Sequence, residues 1–130
     1  MPPFIIQLTD AQAWAIGAAL AFMALDIVTG FIAAIINNCV SSSKMRVGIG
    51  HKVLMCCVIA MALMLEVAGS HVAGLGFSGV TTAAVCVYIV VMEVTSVMEN
   101  VCSAYPELAN SKLAKIFEQV AEQESESKED

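Results

Sequence analysis

An apolar run of 26 residues, positions 11–36, constrains this chain more than any other feature, because it holds a single charge, Asp26. As a helix the run is ~39 Å long at ~1.5 Å per residue, enough to cross a ~30 Å hydrocarbon layer with some tilt. Asp26 is not at an edge. It lies ~15 Å along the helix from Ile36, and an ionisable group at that depth costs several kcal/mol unless it meets a partner, a proton or water.

Composition agrees with a membrane environment. The 130 residues are 58% hydrophobic and 14% charged, against roughly 45–50% and 25% in soluble domains. A soluble domain of this size could not bury so much apolar surface, so the sequence predicts one small, all-α integral membrane protein. The net charge of −6 is local in origin. Glu118, Glu122, Glu124, Glu126, Glu129 and Asp130 face only Lys128 in the last 13 residues, the composition of a solvated, disordered tail. No basic patch suggests nucleic acid, and no basic stretch precedes the first apolar run as a secretion signal would require. The five cysteines are odd in number and sit in or beside apolar runs. They read as small apolar fillers rather than a disulfide framework.

Three spans are expected, at about residues 11–36, 53–69 and 80–101. Pro2 and Pro3 prevent an early helix and Phe4, Ile5 and Ile6 suit the headgroup region, while Thr9 and Asp10 supply an N-cap for span one. Trp14 suits the interface. Asn37 and Asn38 end span one, and residues 37–50, with Ser41, Ser42, Ser43, Gly48 and Gly50, read as a loop. Glu66 lies near the far end of span two. A glycine-rich turn over 69–79 leads to span three, and Pro106 stops or kinks that helix. Leu113, Ile116, Phe117 and Val120 then form one stripe of a short amphipathic helix. The expected organisation is a transmembrane domain over 1–105, a cytoplasmic amphipathic helix over 106–120 and a disordered acidic tail over 121–130.

The six basic residues orient the chain. Lys44, Arg46 and Lys52 belong to the first connection, and Lys112, Lys115 and Lys128 to the C-terminal segment. By the positive-inside rule the N-terminus is expected outside and the C-terminus in the cytoplasm.

Positions three and four apart share a helix face. Around Asp26 that face carries Ala15, Ala18, Ala19, Phe22, Thr29, Gly30, Ala33 and Asn37, small or polar except for Phe22 and suited to close helix contact in lipid. The other side, with Ile16, Leu20, Met23, Ile27 and Phe31, suits lipid tails. In span three, Glu93, Ser96 and Asn100 share a face, with Glu99 a third of a turn away. Asp26 and Glu93 fall at similar depths, and with Lys52 assigned to the loop margin no basic residue is expected beside them. Three readings remain open: protonated carboxyls that hold the helices together, a water-accessible oligomer interface, or a proton or cation relay. No metal-ligand spacing converges on one face, and no phosphate loop, dinucleotide motif or nucleophile elbow is present. Neither enzymatic chemistry nor a cofactor is expected.

The ordered set Leu25-Asp26-Ile27-Val28-Thr29-Gly30, Ser41-Ser42-Ser43, Gly50-His51-Lys52, Glu66 and Glu93-Val94-Thr95-Ser96-Val97-Met98-Glu99-Asn100, followed by Pro106, resembles the three-span phage-lysis and toxin-secretion holins of the clostridial prophage type. The resemblance implies a non-enzymatic protein of the bacterial cytoplasmic membrane that oligomerises and opens lesions. Through them a cell-wall hydrolase (endolysin), or in relatives a toxin, leaves the cytoplasm. In this reading the faces around Asp26 and Glu93 are the pore-lining or oligomer surface. A small proton or cation channel, or an accessory membrane subunit, is the alternative.

Overall fold

The computed structural model describes residues 7–75, 81–110 and 112–127, and among these no strand occurs. Helix α1 spans Asp10–Ile36, α2 Ser42–His71 and α3 Thr82–Ala104; a 3-10 turn, Pro106–Asn110, leads to α4, Lys112–Ser127. The first three are long and apolar enough to cross a membrane. The proposed headgroup contact of residues 4–6 and the end of the glycine-rich turn, 76–79, lie outside the described residues.

Local chemistry sets the helix ends. Thr9 caps α1 in a reciprocal box: its hydroxyl accepts from the Gln12 N–H at 3.2 Å, and its own N–H donates to Gln12 Oε1 at 3.0 Å. At the other end Asn38 takes a left-handed φ of 53°. The Cys39 N–H then reaches Ala34 O and the Asn38 N–H reaches Ile35 O, the Schellman arrangement, in which asparagine can replace glycine.

Helix α2 departs most from expectation. It begins at Ser42, not near residue 53, because Ser41 acts as N-cap and its hydroxyl accepts from the Lys44 N–H at 3.4 Å. Gly48 and Gly50 lie inside the helix, each at a cost of about 1 kcal/mol relative to alanine, too little to break a capped helix of this length. The connection to α1 shrinks to residues 37–41. Thr81 caps α3, and its first N–H, on Thr82, donates to Glu66 Oε2 of α2 at 2.8 Å. Pro106 follows the last turn of α3. Helix α4 continues to Ser127, past residue 121, where composition alone predicts a disordered tail; residues 128–130 lie outside the described residues.

Helices α1 and α3 make the main contact of the bundle, and α2 touches both less extensively. Ala19 and Met23 of α1, Ile59 of α2, and Cys86 and Ile89 of α3 form the core, with Ile16 and Met55 packed against it. Ile16 and Met23 therefore turn inward, not toward lipid, whereas Leu20, Ile27 and Phe31 remain exposed. Exposure of Val28, Ile32, Ile35, Leu54, Met61 and Met64 as well leaves an apolar perimeter far larger than a soluble monomer tolerates. Hydrocarbon is the solvent that suits it.

Candidate functional site

The three spans meet in a charged cluster. Lys52 Nζ of α2 lies 2.7 Å from Asp26 Oδ2 of α1 and 2.6 Å from Glu93 Oε2 of α3. The side chains are 12%, 17% and 2% exposed in that order. This corrects the expectation that no basic residue stands at the depth of the two carboxylates. The early start of α2 is the reason. Asp26 is ten residues from the end of α1, Lys52 ten from the start of α2 and Glu93 eleven from the end of α3, so all three sit ~15–17 Å from one end of the bundle. A lysine read as the margin of a loop is the third wall of the site.

Asn100, on α3, completes the cluster. Its side-chain amide donates to Asp26 Oδ1 at 2.8 Å and lies 3.2 Å from Thr29 Oγ1 and 3.3 Å from the Asp26 carbonyl. Thr29 Oγ1 itself donates to that carbonyl at 3.2 Å. Both Asp26 oxygens are thus occupied, one by an amide and one by an ammonium. Gly30 lies against this amide: a Cβ there would stand 3.4 Å from Asn100 Nδ2, within ordinary contact, and a larger side chain would not fit. One α-helical turn beyond the cluster and more, at the end of the bundle, the Asn37 amide donates to Ser103 Oγ at 3.0 Å.

Between the cluster and that end lies a crevice of about 440 Å³. It runs from Asn37, Ser41 and Ser103, at the helix ends, to Asp26 and Lys52, with Ser96 on its wall. Ile27, Phe31, Met45 and Ile49 share the walls with these polar side chains, and the charged floor is the part that suits water. With two carboxylates and one ammonium, the floor keeps one formal negative charge when all are ionised.

Within one chain, the small face of α1 is turned inward. Ala19 and Ala33 are buried, and Ala15, Ala18, Phe22, Asp26, Thr29 and Gly30 are half-buried. Glu93 is buried, Ser96 and Asn100 are half-buried, and Glu99 is exposed. Asp26, Thr29, Gly30, Ala33, Glu93, Ser96, Glu99 and Asn100 come together at the cluster and its crevice, whereas Ala15, Ala18, Ala19 and Phe22 lie nearer the other end of α1. Lys52 was the residue sequence reasoning missed. The Ser41 cap was the available signal, since it places the third turn of α2 level with Asp26. Among the described residues no group of histidine, cysteine, aspartate and glutamate has metal-site geometry.

The family model described as "Bacteriophage holin family" matches residues 4–122 of the chain. No curated protein and no solved structure matches it.

Proposed function

From the premise that this chain belongs to the bacteriophage holin family, we propose that it accumulates in the bacterial cytoplasmic membrane, oligomerises, and opens lesions through which a cell-wall hydrolase or a toxin leaves the cytoplasm. The observation that carries the mechanism is the buried Asp26–Lys52–Glu93 cluster, whose Asp26 and Lys52 form the floor of a crevice. In the closed chain the charges are paired and the small face of α1 is covered by α3. On opening, neighbouring copies take over those helix contacts and the cluster becomes the wall of an aqueous path.

Physical chemistry supports this direction of change. A buried ion pair recovers little more than the desolvation of its members, and removing one partner leaves a charge uncompensated. The cluster therefore holds the closed bundle together while remaining readily hydrated. Its residual charge lies partway across the membrane field, where a full crossing is worth ~2.3 kcal/mol per charge per 100 mV. A fall in membrane potential shifts the balance if the cluster moves during opening. In this reading Asp26, Thr29, Gly30, Glu93, Ser96, Glu99 and Asn100 are assigned to the water path, and Ala15, Ala18, Ala19, Phe22 and Ala33 to helix contact. Orientation follows the exposed cations: Lys44, Arg46, Lys112 and Lys115 cluster toward one end of the bundle, which is placed in the cytoplasm with the C-terminus.

Expression of the chain alone in a bacterium, with a cytoplasmic cell-wall hydrolase supplied in trans, tests the reading. Abrupt entry of a membrane-impermeant dye together with release of the folded hydrolase is the expected result. Passage of ions with the hydrolase retained would instead make the chain a small channel, and neither event would make it an accessory subunit.

A further inference from the structure

The end of the bundle away from the crevice has a polar tie of its own, and α2 carries a member of both. Lys52, Met55, Ile59, Ala62 and Glu66 follow one another at spacings of three and four, so they form one seam along the helix. The middle of the seam is apolar and packed: Ile59 and Ala62 are buried, and Met55 lies against the core. At its far end Glu66 Oε2 accepts the Thr82 N–H of α3 at 2.8 Å, and the Gln12 side chain of α1 reaches the same carboxylate. Thr82 and Gln12 are themselves buried. Glu66 thus ties α2 to both other spans, as Lys52 does ~21 Å away along the helix.

The two ends of α2 are not held alike. Between its first turn and Lys52 the helix runs along the crevice, which Lys44, Met45, Gly48 and Ile49 line. Beyond Lys52, packed core takes the place of that space. Moving the crevice end of α2 outward breaks the Lys52 pairs and widens a recess that already exists. Moving the far end breaks the Glu66 bond, uncovers Ile59 and Ala62, and leaves the buried Thr82 N–H without its acceptor. The second change is the costlier, since it adds apolar exposure to an unmade buried hydrogen bond. Helices α1 and α3 stay joined in either case, through Asn100 to Asp26 and Asn37 to Ser103.

We infer that α2 opens as a lever about the Glu66 contact, its crevice end swinging away from α1 and α3 while its far end stays in place. The inference rests on the reading that the Lys52 pairs keep the bundle closed, and it names the first movement of opening. Glu66 is the positioning residue of that movement. A tilt of ~10° about Glu66 carries the backbone at Lys52 by ~4 Å and at Ser43 by ~6 Å. The smaller shift already separates an ammonium from carboxylates that lie 2.7 and 2.6 Å away. The connection 37–41 between α1 and α2 sets the limit, because five extended residues span at most ~18 Å. A small folded domain is ~30 Å across. One chain opened in this way therefore admits water, and a protein-sized lesion needs several copies.

Distances between paired spin labels, carried on non-natural amino acids in the full chain in phosphatidylcholine vesicles, test it. Labels at Ser43 and Tyr105 read the crevice end and labels at His71 and Ala84 the far end, all four positions being exposed. Relative to wild type, Lys52→Met is expected to lengthen the first distance by ~6 Å for a ~10° tilt and to leave the second within ~1–2 Å. Lys52→Gln, which keeps a hydrogen-bond donor, gives the same comparison should Lys52→Met fail to fold. Adding Glu66→Leu to either variant is expected to lengthen both distances. Equal lengthening of the two distances with Glu66 intact would overturn the lever, because α2 would then leave as a whole. A first distance that matches wild type in the folded Lys52 variants would instead defeat the reading that Lys52 keeps the bundle closed.

Discussion

Lys52 links three helices through two carboxylate contacts of 2.7 and 2.6 Å, so its removal is felt by all three. Lys52→Met leaves Asp26 and Glu93 without their cation in a site where Glu93 is 1% exposed. Loss of one member of a buried charge group costs about 3–5 kcal/mol because a charge is left uncompensated, a penalty that replacing all three members by uncharged residues avoids. Thermal unfolding in detergent is therefore expected to show Lys52→Met much less stable than the triple variant Asp26→Asn/Lys52→Met/Glu93→Gln. Gly30 provides a steric test. Gly30→Ala places its methyl at ordinary contact distance from Asn100 and gains roughly 1 kcal/mol of helix propensity, so little net loss is expected. Gly30→Leu should displace Asn100 from Asp26 and lower the unfolding temperature by several degrees. At this scale the sequence discloses Asp26, Glu93 and their small or polar neighbours through helical spacing. It hides Lys52, because a charge next to glycines and serines looks like part of a loop until the helix start is known.

Helices form where apolar runs are long, and their ends form where side chains satisfy free backbone groups. The three spans are legible from hydropathy, and the Thr9 cap of α1, its end at Asn37 and Asn38, and the stop at Pro106 from capping and breaker residues. The start of α2 is not, since Ser41-Ser42-Ser43 suits both a loop and a cap; in the structure Ser41 acts as the cap, and the Lys52 contacts with Asp26 and Glu93 add to the longer helix. The bond from Thr82 N–H to Glu66 is equally silent in the sequence, because it joins two helices across a turn. Glu66→Leu removes that charge-assisted acceptor from the first turn of α3 and is expected to destabilise the bundle by about 1.5–3 kcal/mol, read as a lower unfolding midpoint. Glu66→Gln, which retains an acceptor oxygen, should recover part of the loss. Helix α4 shows a further limit: acidic composition argues against order over 121–127, yet the helix carries on from its amphipathic first half to Ser127.

Across the whole molecule, an apolar perimeter surrounds an apolar core and, toward one end, a charged cluster and its crevice. The α1–α3 contact is the larger one, and α2 is held to it by Ile59, Ala62 and the Lys52 pairs. Separation of α2 from that pair exposes the charged floor of the crevice to water. Periodicity shows which faces of α1 and α3 are small or polar. It does not show whether one chain or several cover them, because close packing in lipid uses the same residues in both cases. The central claim is that Lys52 keeps the closed bundle shut by compensating Asp26 and Glu93. Its most direct test is the onset of dye entry in cells accumulating equal amounts of wild type, Lys52→Met and the triple neutral variant. Early entry with Lys52→Met and a return to late onset with the triple variant are expected; identical onset for Lys52→Met and wild type would mean that Lys52 does not hold the bundle closed.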